Sequence, residues 1–200
     1  MSADMVWIDT HAHLQHKPYT TDFAAVLARS RAAGVSLVLL PGTDLDDSRD
    51  AIEMATRHGD LGLIAAIGVH PHEAKTFSDT VAAELRALAL ANRSCVLAIG
   101  EIGLDYHYDF SPSEVQRQVF MDQLKLAREL DLPVIVHDRE STADCLEIIS
   151  QAAEQGLLRE VAGVFHCYSG SLETARILLK HGFYLGFDGP ITFKNARKAL

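Results

Sequence analysis

"VWIDTHAHLQ", residues 6–15, runs from a strand-like apolar stretch into two histidines separated by one alanine. Side chains alternate between faces of an extended chain, so His11 and His13 point the same way and can grip one object. That object is a metal ion, or else one ring caps the strand and the other is solvated. The rest of the chain decides between the two.

Short apolar, β-branched runs alternate with segments of helical period from end to end. The predicted strands cover 5–9, 35–40, 63–69, 96–99, 133–136, 161–165 and 183–187. Strands alternating with helices are the βαβ signature of a parallel sheet. "TTDFAAVLARSRAAG" has Thr21 or Asp22 as N-cap, Phe23, Val26 and Leu27 on one face and Gly34 as its stop. "SPSEVQRQVFMDQLKLARELDLP" pairs Ser113 with Gln116 as a capping box and places Val115, Val119, Phe120, Leu124 and Ala127 at helical spacing. It terminates before Pro133 and is read as a packing helix and nothing more. With no linker, low-complexity segment, repeat or composition break, residues 1–200 read as a single domain.

Five of the apolar runs share an ending: "VWIDTHAH", "AAIGVHPH", "VLAIGEIGLD", "PVIVHDR" and "GVFHCYSG". In a parallel α/β protein the carboxyl ends of all strands emerge on one face, where ligands bind. His11, His13, His70, Glu101, His137 and His166 are therefore expected to converge on one rim. Neutral imidazoles suit Zn, Mn, Fe, Co or Ni, and a carboxylate can bridge two cations. Two divalent ions about 3.5 to 4 Å apart polarise an ester oxygen and lower the pKa of a bridging water. Such a site is a hydrolase site.

The chain has 48% hydrophobic and 22% charged residues, ordinary for a globular protein. It shows neither a membrane span nor a signal peptide, so the expected location is cytoplasmic. Cys95, Cys145 and Cys167 are odd in number, widely spaced and outside any CxxC pattern, which fits reduced thiols. The net charge of −9, with no basic block, repels nucleic acid globally. A phosphate ester substrate would need local positive charge; two bound divalent ions would move −9 to −5 at the site itself.

The motifs DTHAHL (9–14), GVHPHE (68–73), GEIGLDYHYD (100–109), VHDR (136–139), HCYSG (166–170) and GFYLGFDGPITFKNA (182–196) span almost the whole chain. Together they resemble the TatD family of metal-dependent hydrolases, within the amidohydrolase-like superfamily. The resemblance implies a TIM-type (β/α)8 barrel, of which this chain carries about seven βα units and lacks the eighth. It implies that His11 and His13 bind the first of two divalent ions (Zn, Mn, Mg, Co, Fe or Ni), that Glu101 bridges, and that His137 and His166 bind the second. By the same resemblance His70 faces the substrate phosphate. The family adds an aspartate at the end of the eighth strand, which holds the first metal and takes the proton from the attacking water. This sequence stops at Leu200 before reaching it, and the expectation is a C-terminally incomplete chain. Strands one and seven would otherwise be left with unpaired edges, a hazard against which neither carries protection.

Other residues keep two readings. His72 touches substrate or caps the loop after Pro71, and Arg139 pairs a phosphate bidentately or forms a structural salt bridge. Asp105, Tyr106 and Asp9 are candidates for orienting a histidine. His16, His58, His107 and His181 are expected to be solvated, away from the constellation. Cys167 is turned from the rim by alternation, and Ser169 with Gly170 reads as a turn that admits substrate, since no G-x-S-x-G elbow surrounds the serine. The function implied is a TatD-like deoxyribonuclease, a divalent-metal-dependent phosphodiester hydrolase working from a 3′ end. Its partner is nucleic acid as substrate, a DNA end or single strand, with no membrane and no obligate protein partner. Two alternatives stand beside it: cleavage of the D-aminoacyl-tRNA ester or another ester or amide, and a non-catalytic metal-binding fragment, favoured by the missing aspartate.

Overall fold

The computed structural model describes residues 6–19 and 21–194. Position 5 of the first predicted strand and the last two residues of the 182–196 motif lie outside them. Seven strands form one sheet in sequence order: β1 Trp7–Asp9, β2 Val35–Pro41, β3 Leu63–Ile67, β4 Val96–Asp105, β5 Val134–Arg139, β6 Gly163–Phe165 and β7 Phe183–Leu185. Every neighbouring pair is parallel. Six α-helices make crossovers or flank them: α1 Phe23–Ala32, α2 Leu45–Arg57, α3 Asp79–Ala91, α4 Ser113–Leu130, α5 Thr142–Glu154 and α6 Leu172–Lys180. This is the TIM-type α/β architecture with seven units, β1 and β7 being the outer strands of the described sheet. No helix among the described residues is long and apolar enough to cross a membrane.

Alternation along the strands sorts the core into two layers. Val38, Leu40, Ala65, Ile67, Ile99, Val134 and Val136 pack with helix residues such as Leu27, Phe120, Leu124 and Ile149. Leu39, Ala66, Ala98, Ile135 and Val164, one from each of β2 to β6, form a separate cluster without helical members. The second set therefore lines the concave face, and the strands' polar ends lie above it.

The central strands run longer than the sequence suggests. β4 continues to Asp105 instead of ending at Ile99, and β5 to Arg139 instead of Val136. The reason is a bulge: Ile99 pairs with Val134 and Ile102 with Val136, so three steps on β4 match two on β5. Ile99 and Ile102 both face the helices, and the extra residue between them turns Glu101 onto the concave face. Beyond the bulge the pair resumes, Gly103 against His137 and Asp105 against Arg139. Gly103, at φ +132°, has room for no side chain, since a Cβ would lie 2.1 Å from the carbonyl oxygen of His137.

Of the predicted caps, Asp22 precedes α1 without a side-chain hydrogen bond to it. The Ser113–Gln116 capping box is absent: Pro112 is the N-cap, the Ser113 hydroxyl donates to Glu114, and Gln116 is buried. A nearer set of backbone partners, described below, takes the glutamine. α4 is thus more than a packing helix.

Candidate metal centre

Each polar strand end arrives at the rim by its own local device. Asp9, closing β1, accepts the backbone N–H of His11 at 3.0 Å, which curls the chain so that both histidines turn inward. His70 caps the short 3-10 turn Pro71–Thr76, its Nδ1 accepting the N–H of His72 at 3.1 Å. A neutral ring so fixed carries its proton on Nε2, which lies 3.5 Å from Glu101 Oε1. Glu101 comes from the β4 bulge, His137 from within β5, and His166 from the residue after β6.

The six side chains converge. Glu101 is 3% exposed, and its two oxygens meet different histidines. Oε2 lies 3.3 Å from His11 Nε2 and 3.4 Å from His13 Nε2. Oε1 lies 2.9 Å from His137 Nδ1 and 2.8 Å from His166 Nε2. Within each pair the ring nitrogens face each other, at 3.1 Å for His11 and His13 and 3.2 Å for His137 and His166. Lone pairs held that close need a proton or a cation between them, so the donor set fits one divalent ion at each carboxylate oxygen. Donor atoms of His11, Glu101 and His166 also lie within 4.8 Å of one another, as do those of His70, Glu101 and His137. The nitrogen–nitrogen approaches favour the pairing by oxygen, and the N–H on His70 Nε2 makes that ring a donor rather than a ligand.

Burial and the facing histidines set the charge on Glu101. Burial alone would push the Glu101 carboxyl up, yet hydrogen bonds from His11, His13, His137 and His166 hold it well below the usual carboxylate range. Burial lowers His11 and His70, which keeps both rings neutral. For His137 burial is outweighed by hydrogen bonds to Asp105 and Glu101, and its pKa rises to about 9.

Asp105 holds the next layer. Fully buried, it accepts His137 Nε2 at 3.0 Å and His72 Nε2 at 2.9 Å on one oxygen, and the backbone N–H groups of His107 and Tyr108 on the other. With Nε2–H tied to Asp105, Nδ1 is the atom that faces Glu101. It is the nitrogen whose lone pair a metal ion would take in place of a proton, the carboxylate–histidine arrangement that orients metal ligands. Asp105 thus fulfils the orienting expectation and Tyr106 does not: its hydroxyl donates to Asp144 at 2.6 Å, away from the histidines. His72 takes its place in the cavity wall through Asp105 as well as in the loop.

Two glutamines of α4, seven residues apart and so on one helical face, set the backbone beneath. Gln116 accepts the N–H of Asp105 at 2.8 Å and donates to its carbonyl at 3.0 Å and to that of Ser111 at 2.8 Å. Gln123 accepts the N–H of Val69 at 2.8 Å and donates to its carbonyl at 2.9 Å. Each side-chain amide takes the place of a neighbouring strand's backbone, one beside His70 and one at Asp105. Both interrupt the apolar stripe of α4, which was the available signal.

His16 differs from expectation. It stacks on His13 with centroids 4.7 Å apart and bonds Asp47 at 3.2 Å, because the turn after His13 folds back over α2. His107 is exposed and paired with Glu140, His58 packs on Phe23, and His181 ends α6, all away from the centre. Asp188, just beyond β7, lies 3.6 Å from His166 Nδ1; it follows an apolar run as the histidines do, the same punctuation left unread. Cys167 belongs to none of the described ligand groups.

Two cavities open on the rim. One, about 430 Å³, is lined by the six converging residues with Thr43, Asp44, His72 and Glu73. The other, about 630 Å³, shares His166 and is walled by Arg139, Tyr168, Ser169 and Gly170 among others; the turn itself falls at residues 166–167, and 169–170 is irregular chain beside the cavity. The Arg139 guanidinium makes no ion pair or hydrogen bond among the described residues, which leaves the structural salt bridge without a partner there; it lies 5.0 Å over the Tyr108 ring.

Comparison with known proteins agrees with this geometry. Residues 8–200 match the family model described as TatD related DNase. The chain is 40% identical over 190 residues to the uncharacterized metal-dependent hydrolase YabD of Bacillus subtilis, covering 95% of this chain and 71% of that one. It is 39% identical over 181 residues to the 3′-5′ ssDNA/RNA exonuclease TatD of Cronobacter sakazakii, covering 90% of this chain and 66% of the relative. The crystal structure of the TatD homologue YjjV from Escherichia coli superposes with TM-score 0.84 at 33% identity, over 94% of this chain and 70% of that one. The chain thus spans about two thirds of the length of the exonuclease it matches. Matched along nearly its whole length, with the histidines and Glu101 gathered at one end of a parallel barrel sheet, the chain belongs to the TatD family of metal-dependent hydrolases.

Proposed function

We propose that this site hydrolyses phosphodiester bonds in single-stranded nucleic acid, working from a 3′ end with two divalent ions. The observation that carries the reading is the division of Glu101, one oxygen to His11 and His13 and the other to His137 and His166. A bound ion pair would polarise the phosphoryl group and make water a nucleophile near neutral pH. The chain's own residues do the rest. His70 keeps its Nε2–H aimed at the centre, where it donates to a phosphoryl oxygen as charge builds there. Asp105 fixes the His137 tautomer, and Arg139, at the edge of the larger cavity and without an acidic partner among the described residues, offers a planar fork to the adjoining phosphate. The matched exonucleases supply the substrate class by kinship.

The test is metal analysis of the purified chain together with release of mononucleotides from a 3′-labelled single-stranded oligonucleotide in Mn²⁺ or Mg²⁺. Two ions per chain and 3′-terminal release support the reading. Bound metal without cleavage under any divalent ion, alongside hydrolysis of a D-aminoacyl-tRNA, would move the substrate to a carbonyl ester.

A further inference from the structure

The loop leaving β4 turns its aromatic side chains outward. Tyr108 and Phe110 are 42% and 54% exposed, and their rings stack with centroids 5.4 Å apart and 21° between planes. Exposed rings so arranged keep apolar area in water that no packing within the chain covers. The pair adjoins the candidate metal centre through one side chain: the His72 ring stands edge-on to Tyr108 at 5.5 Å and to Phe110 at 4.9 Å, and lies 4.4 Å from His70. His72 also lines the cavity that holds the converging histidines. Arg139 flanks the other side, over Tyr108 and without an acidic partner among the described residues.

We propose that Tyr108 and Phe110 form a stacking platform for the nucleobase next to the bond to be cut, with Arg139 holding a phosphate beside it. This rests on the nuclease reading and names the subsite that grips the strand. Two rings are far too little surface for a protein interface, which needs about 800 Å² from each partner. They match a flat nucleobase, and the Arg139 guanidinium, with no acidic partner among the described residues, matches its phosphate. In a chain of net charge −9, long-range attraction cannot gather the strand, and stacking is the interaction that needs no charge. The platform is blind to base identity, because every base has a π-face.

The probe is a 5′-fluorescein oligothymidylate with phosphorothioate linkages to slow its cleavage, compared with the same strand carrying abasic units at its 3′ end, each titrated with the Mn²⁺-loaded chain. Replacing Tyr108 or Phe110 by alanine weakens binding of the intact strand by between about fivefold and 150-fold, the value of one stacked base. Phe110→Trp restores it, and the abasic strand binds the wild-type chain as weakly as the intact strand binds the variants, with no further loss on mutation. Equal affinity for both strands, or affinity indifferent to both alanine variants, overturns the platform while leaving the nuclease reading in place. If the wild-type chain neither binds the intact strand nor cleaves its natural-linkage counterpart, the nuclease reading falls and the platform with it.

Discussion

Replacing Asp105 by asparagine tests how the centre is held, because it changes two atoms' chemistry and almost no volume. The carboxylate accepts four hydrogen bonds, two from backbone N–H groups on Oδ1 and two from His137 and His72 on Oδ2. An asparagine keeps the backbone pair on its carbonyl oxygen and presents an amide NH₂ to the two rings. His137 must then accept at Nε2, which moves its proton to Nδ1, the atom 2.9 Å from Glu101 and 3.2 Å from His166. A protonated nitrogen cannot ligate, so the His137–His166 side of the candidate centre loses a donor. Loss of such an orienting carboxylate costs about 10- to 100-fold in affinity, or about 1.4 to 2.8 kcal/mol. Calorimetric titration of the metal-depleted chain with Zn²⁺ should show two binding events in wild type. In Asp105→Asn one should be weakened by that factor and the other unchanged, with the circular dichroism spectrum intact. Two events of wild-type affinity in the variant would refute the tautomer argument.

His70→Asn retains a side-chain oxygen to cap the Pro71–Thr76 turn but cannot reach the centre. It should bind metal at wild-type stoichiometry by elemental analysis while kcat on an oligonucleotide falls about 10²- to 10³-fold; metal loss instead would make His70 a ligand. Gln123→Leu leaves the buried N–H and C=O of Val69 without partners, at about 1 to 3 kcal/mol for each group, read as a lowered midpoint in urea. Arg139→Ala removes no ion pair among the described residues and should leave stability within about 0.5 kcal/mol of wild type. It should raise KM for the oligonucleotide about tenfold, the value of a charge-assisted contact at an exposed site. An unchanged KM would detach Arg139 from the substrate.

Element order was legible because β-branched runs and helical periods alternate without ambiguity, and each is closed by a glycine, proline or capping residue. The ligand candidates were legible for a related reason: an apolar run that stops on histidine or glutamate marks the carboxyl end of a parallel strand. What escaped is non-local. Nothing in "VLAIGEIGLD" says that pairing resumes after the bulge, since the register shift exists only against β5. Gln116 has serine three residues before it and reads as a capping residue, yet its partners lie on the β4 end and the loop after it. Gln123 bonds a backbone 54 residues upstream. A glutamine within an apolar stripe is the trace such contacts leave, and it gains meaning only once the strand beneath is known.

The same contacts bear on how a chain of net charge −9 could accept the polyanion proposed as its substrate. Positive charge at the rim is not spread over the surface but gathered: Arg139 stands alone on the described lining of the two cavities as a permanent cation, and the remaining positive charge would arrive with the metals. That arrangement demands defined ligand geometry, because four ring nitrogens and one carboxylate must face inward with lone pairs to offer, and His70 beside them must keep its N–H. Two of the rings have their proton position set from outside the centre, His70 by a backbone N–H and His137 by Asp105, and the strand bearing Asp105 is held in turn by Gln116. A site whose charge is borrowed has to be rigid before the charge arrives, and in this fold the rigidity comes from α4 and the β4–β5 pair.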